Sequence, residues 1–239
     1  MAPDKPIYIC YSFRFEDQRQ IDFKLNIHPL RLELINPPRE NLPGWTALAY
    51  NQCENCPLDP TLAPRCPLAL NLVEIVKAMD GLLSFENVQL VAQVEARQIT
   101  QDTTVQQAAR SLMGLLIATS GCPHTRFFKP MARFHLPLSS TEETICRSIS
   151  MYLLGQYFNK VDGQPADFDL QGLSKIYEDI RIINVHVADR LRSAIASDPA
   201  VNAIILLDIY SQSLPMVIEE YLDSIRYLYD AIKGHNRPL

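Results

Sequence analysis

The sequence predicts an α+β fold in which a small antiparallel sheet is covered by helices and followed by an all-helical carboxyl-terminal part. Three observations predict it. Apolar and polar residues alternate from Ile7 to Leu34 and again from Val88 to Arg97, with the period of a half-buried strand. Helical spacing replaces that alternation in between and afterwards, and from Leu173 to the carboxyl end it is the only pattern present.

In the first strand Ile7, Ile9, Tyr11, Phe13 and Phe15 share a face, with Ser12 and Arg14 opposite. The stretch EDQRQ reads as a hairpin loop leading to Ile21, Phe23, Leu25 and Ile27. Leu30, Leu32 and Leu34 continue the alternation as a third strand, closed by Pro37 and Pro38. Val88, Leu90, Ala92, Val94 and Ala96 mark a fourth. One apolar face of such a sheet needs a cover, and helices supply it.

A first helix spans Pro67 to Met79, and a second is capped by Asp102 or Thr103 and ends at Gly121. Ser139, Ser140 or Thr141 followed by Glu142 and Glu143 forms a capping box that opens a third helix, reaching about Tyr157. Leu173, Ile176, Ile180, Ile183, Val187 and Leu191 make a long amphipathic helix. A last helical stretch begins at Asp198, is broken or kinked by Pro215 and ends at Gly234. The turn residues from Val161 to Asp167 divide the chain into an α+β domain, residues 1–160, and a helical region, residues 161–239.

Composition narrows the function. With 239 residues, 47% hydrophobic and 21% charged, the chain has the makings of a substantial core. Its net charge of -5 excludes a general nucleic-acid coat, because phosphate neutralisation needs clustered Lys and Arg. The opening MAPDKPIYIC lacks the pattern of a signal peptide and no apolar run is long enough to span a bilayer, so the expected location is the cytoplasm. There thiols stay reduced, and clustered cysteines point to a metal or to redox chemistry rather than to structural disulfides.

The cluster is CENCPLDPTLAPRCP, where Cys53, Cys56 and Cys66 lie in a proline-rich loop with no strand or helix pattern. Two sulfurs three positions apart can face one ion from a tight turn, and metal binding offsets the entropy of ordering a long loop. Cys122 in SGCPHT is the expected fourth ligand, with His124 as the alternative. The expectation is a metal-binding protein with a structural Zn2+ on Cys53, Cys56, Cys66 and Cys122. A 4Fe-4S cluster stays open as the alternative, since all-thiolate coordination suits both. Cys10 and Cys146 read as packing residues.

CPHTRFFKPMARFH gathers His124, Arg126, Lys129, Arg133 and His135. Arg126, Lys129, Arg133 and His135 can bind an anion beside the cysteine centre, and the alternative function is an iron–sulfur or open-site metalloenzyme whose anionic substrate sits near His124, Arg126 and Lys129; equally, these residues can form a solvated basic loop anchored by Phe127, Phe128 and Phe134. Asp208, Glu219 and Glu220 come without the Glu-x-x-His pairs of a di-iron bundle, and His186 reads as a structural histidine. Phosphate-loop, dinucleotide and nucleophile-elbow signatures are missing. The wide apolar run after Asp198 leads to the expectation of a homodimer, or of a protein partner, through the carboxyl-terminal helices.

YSFRFED, CENCPL, RCP and GCPHT followed by ARFHLPLSS together resemble an uncharacterised bacterial family of unknown function over most of residues 7 to 160. That resemblance implies no activity.

Overall fold

Four strands pair antiparallel in the order β2-β1-β3-β4, where β1 is Ile7–Arg14, β2 Gln20–Ile27, β3 Asn87–Val94 and β4 Arg97–Thr104. The computed structural model describes residues 5–35, 42–194 and 198–230. The register sets Tyr11 opposite Phe23 on one side and Ala92 on the other, so the alternating apolar residues of three strands fall on one face. Ile9, Tyr11, Phe13, Leu25, Ile27, Leu90 and Ala92 are all buried there. Asp22, Lys24 and Gln89 point the other way, into solvent.

Helices α1 (Pro67–Ala78) and α2 (Val105–Ala118) lie over the apolar face and bury Leu72 and Ile75 from the first, Leu112 and Met113 from the second. Pro67 fits the first turn of α1, where its missing N–H is not needed. Helix α2 starts later than expected: Asp102 and Thr103, the expected caps, are part of β4, and extended Thr104, with no side-chain cap bond, precedes Val105. Helix α3 (Lys129–Arg133) is a single short turn after the 3-10 segment Pro123–Phe128. Helix α4 (Thr141–Val161) opens with the expected capping box, Ser140 accepting from the Glu143 amide and Glu143 from the Ser140 amide. Helices α5 (Gln171–Ala194) and α6 (Asp198–Ile225) pack on each other, and α6 also packs on α2. The main core is continuous: Ile183, Leu191, Ala203 and Ile204 join the same buried cluster as Tyr11 and Leu112. A smaller cluster holds Ile145, Ile149, Tyr152, Leu173 and Tyr177 between α4 and α5.

Three expectations change. Leu30, Leu32 and Leu34 do not form a strand: after Pro29 the chain turns, Leu32 takes a left-handed φ of 53°, and only an isolated bridge joins Ile27 to Leu34. The fourth strand of the sheet is instead Arg97–Thr104, directly hairpinned to β3 through Glu95. Helix α6 runs through Pro215 as one helix, since a proline removes one hydrogen bond but neighbouring packing can hold the two halves together. The expected end at Gly234 lies outside the described residues.

Candidate functional site

A mainly apolar cavity of about 180 Å³ lies under α2 between the α3 segment, α4 and α5. Leu115, Phe128, Leu138, Ile180 and Leu207 supply its apolar wall, while Ser111, His135 and Arg147 bring polar groups to it. Strand β1 sends Tyr11 through the core to the same place. Its hydroxyl is 2.9 Å from Ser111 Oγ on α2 and 2.5 Å from His135 Nε2, just beyond α3. Ser111 Oγ also accepts the backbone N–H of Leu138 at 2.9 Å, which ties the segment after α3 to α2.

Burial decides the protonation of this chain of groups. Removal from water pushes the Tyr11 phenol well above its usual value and pushes the His135 imidazole down to about 3, the charge of Arg147 adding to the second effect. Both groups are therefore neutral near pH 7. The direction of the hydrogen bonds then follows from satisfaction. With the Leu138 amide already donating to Ser111, the Ser111 proton goes to the Tyr11 oxygen, its acceptor among the described residues. Tyr11 in turn donates to His135 Nε2, and the imidazole proton sits on Nδ1. Nδ1 meets no protein partner among the described residues, so His135 offers the cavity a hydrogen-bond donor. A histidine titrating near 3 is a poor general base at neutral pH, and this arrangement suits binding better than proton abstraction.

The cysteines occupy a second, much smaller cavity of about 20 Å³, which Cys53, Cys56, Cys66 and Cys122 line together with His124 and Arg190. Its volume is close to the minimum that one water needs. All six cysteines are free and half-buried. The closed metal centre expected from their spacing is not what the fold builds: among the described residues no group of three or more His, Cys, Asp or Glu is disposed to hold a metal ion. Burial, reinforced by neighbouring Cys66, pushes Cys53 up to about 12, and burial pushes Cys122 up to about 11. The four thiols line one cavity, but the loop and the segment after α2 do not bring three ligands to a common point. The zinc-protein and open-site metalloenzyme readings both fall with that finding.

The loop is ordered by another device. Arg190 on α5, only 2% exposed, donates to the carbonyls of Trp45 at 2.5 Å, Ala47 at 2.7 Å, Asn51 at 3.3 Å and Leu48 at 3.5 Å. One guanidinium thus satisfies four backbone acceptors of a segment with little secondary structure, using the fixed fork that Lys lacks. His124 bonds the Asn55 carbonyl through Nε2 at 2.7 Å and stands 3.9 Å from Asp179, fastening the tip of the loop to the 3-10 segment and to α5. His186 faces Glu54 at 3.9 Å, a structural placement.

The basic residues of the CPHTRFFKPMARFH segment do not gather. Lys129 pairs with Glu33 at 2.8 Å, Arg133 with Glu95 at 3.0 Å, His135 turns inward to Tyr11, and Arg126 is exposed. Cys10 neighbours Ser12 on β1, and Cys146 lies on α4 in a groove with Leu222 and Tyr229. Tyr11, Ser111, Arg147 and Arg190 are the site and clamp residues that sequence reading missed. Each sits in a regular strand or helix pattern, and nothing in its neighbours marks it.

Fold and cavity together define an α+β protein with a four-stranded antiparallel sheet, a cover of helices and an apolar cavity carrying one directed donor. The chain belongs to the family described as a domain of unknown function (DUF6901), whose family model matches residues 9–230. The match reaches well beyond residue 160, across the helical region. No curated protein and no solved structure matches the chain. No helix among the described residues is long and apolar enough to cross a membrane.

Proposed function

We propose that this protein binds a small, mainly apolar molecule carrying a carbonyl or carboxylate oxygen, in the cavity below α2. The observation that carries the reading is the unpartnered Nδ1 of His135, backed by the Ser111–Tyr11–His135 hydrogen-bond chain that directs its proton. A donor with no protein partner that faces a cavity is available to a ligand, and an oxygen acceptor would satisfy it. The nearby Arg147 guanidinium, which donates to the Met131 and Phe134 carbonyls, adds a positive field that favours an oxygen carrying negative charge. The size of the ligand follows from volume: a dry cavity of about 150 Å³ holds a benzene ring, and this one, at about 180 Å³, is slightly larger.

Saturation-transfer NMR with benzoate, acetophenone and toluene tests the reading. Benzoate or acetophenone should bind more tightly than toluene, and His135→Phe should weaken the oxygenated probe by about tenfold, the worth of one hydrogen bond, while leaving toluene little changed. Equal affinity for all three, or no binding of any, rejects the proposal.

A cytoplasmic location belongs to the same reading, supported by six free thiols. So does pairing of two chains, supported by the exposed Tyr227, Leu228 and Tyr229 at the end of the last helix and by Leu154, Tyr157, Phe158 and Val161 on one face of α4. Light scattering decides the pairing: twice the chain mass supports it, and the chain mass alone rejects it.

A further inference from the structure

The structure assigns to Cys53 and Cys56 a role separate from the apolar cavity: we propose that they form a reversible disulfide when a hydroperoxide oxidises the protein. The two thiols are the first and last residues of a tight turn, closed by the Cys56 N–H bonding the Cys53 carbonyl at 3.0 Å. Such a turn holds its end α-carbons within about 7 Å, and a disulfide closes at α-carbon separations up to about 6.8 Å. Both side chains line the same small cavity, so the sulfurs need not turn away from each other to reach the solvent side of the loop. Neither thiol is now bridged.

The turn is held from outside. Its central residues, Glu54 and Asn55, are fastened by His186, His124 and Asp179, so the closing of a bond inside the turn leaves those anchors in place. The chemistry balances in two steps. The Cys56 thiolate attacks a peroxide oxygen, the O–O bond breaks, hydroxide or alkoxide leaves and a sulfenic acid forms on Cys56. The second thiol then attacks that sulfur, the S–O bond breaks and water departs with the thiol proton. Sulfur is oxidised, the peroxide is reduced, and a dithiol reductant reverses the result by exchange.

Cys66 and Cys122 line the same cavity and are the competing partners. Tryptic cleavage separates the outcomes, because Cys53 and Cys56 share the peptide 40–65, Cys66 lies in the next one, and Cys122 falls in 111–126. After hydrogen peroxide treatment of the whole folded chain and alkylation without reductant, peptide 40–65 should appear unalkylated and two hydrogen atoms lighter than its dithiol form. Dithiothreitol should restore both alkylations. Full alkylation of both cysteines after peroxide overturns the proposal, as does a cross-linked pair of peptides containing Cys66 or Cys122. In Cys53→Ser the loss of two hydrogens from 40–65 should vanish; its persistence would also overturn the assignment.

Discussion

Tyr11 and His135, 124 positions apart in the chain, share a hydrogen bond of 2.5 Å between Oη and Nε2. That one contact joins the centre of the sheet to the cavity wall. Loss of the Tyr11 hydroxyl would leave an imidazole acceptor and the Ser111 proton without partners. Tyr11→Phe should therefore lower stability by about 1–3 kcal/mol, the usual penalty for orphaning buried polar groups. Urea unfolding gives the measurement, and an unchanged midpoint would show that the chain of bonds is energetically idle.

The pH dependence of stability has a defined sign. His135 titrates at about 3 in the folded protein against 6.5 ordinarily, so between those values the unfolded chain binds more protons. Stability is full above the ordinary value and is lost as pH falls toward the folded one, at up to roughly 1.4 kcal/mol per pH unit. Denaturation midpoints at about pH 7 and about pH 5 should differ more for the natural chain than for His135→Gln. Asp17, Asp22, Asp59 and Asp167 are also held below their usual range, but they are common to both proteins and cancel in the comparison.

Two glycines should respond in opposite directions. A β-carbon on Gly172 would lie 2.3 Å from Tyr152 Oη and 3.2 Å from Asp167 Oδ2, where Tyr152 donates to Asp167 at 2.6 Å. A β-carbon on Gly155, inside α4, meets nothing within 4 Å. Gly155→Ala should raise stability by about 0.5–1 kcal/mol through helix propensity. Gly172→Ala should destabilise, and Tyr152→Phe introduced beside it should recover part of the loss. Thermal melts of the three variants check the order.

Arg190→Lys keeps the charge and loses the fork. A single ammonium cannot reach the carbonyls of Trp45, Ala47, Leu48 and Asn51 together. Amide hydrogen exchange across residues 44–52 should accelerate by at least about tenfold, the equivalent of roughly 1.4 kcal/mol of local stability. Unchanged protection there would mean that the loop is held by its own contacts.

Much of the sheet is legible in the sequence because β1 and β2 bury one face and turn the other outward, the condition that produces alternation, and β3 follows it except at buried Val91. Arg97–Thr104 escapes such reading: it is an edge strand, mostly exposed, and RQITQDTT carries no apolar face. Leu30, Leu32 and Leu34 mislead in the opposite way, since their alternation is that of a turn in which Leu32 adopts positive φ. The cysteines line one small cavity without forming the metal centre that their spacing led us to expect, and the spacing is silent on the burial that pushes Cys53 and Cys122 up. Tyr11, Ser111 and His135 meet only through tertiary packing, and in the sequence they are an ordinary strand tyrosine, a helix serine and a loop histidine.

Arg190 reaches back 139 to 145 residues for its four acceptors, and this distance has a consequence for synthesis. The segment around Trp45 and Asn51 leaves the ribosome long before its clamp exists. At roughly 5–20 residues per second, the interval is on the order of ten seconds. Throughout it Cys53, Cys56 and Cys66 belong to a nascent chain whose loop is not yet closed, so in newly made protein each thiol can meet any partner, whereas the finished fold limits Cys53 and Cys56 to each other and to their neighbours in one small cavity.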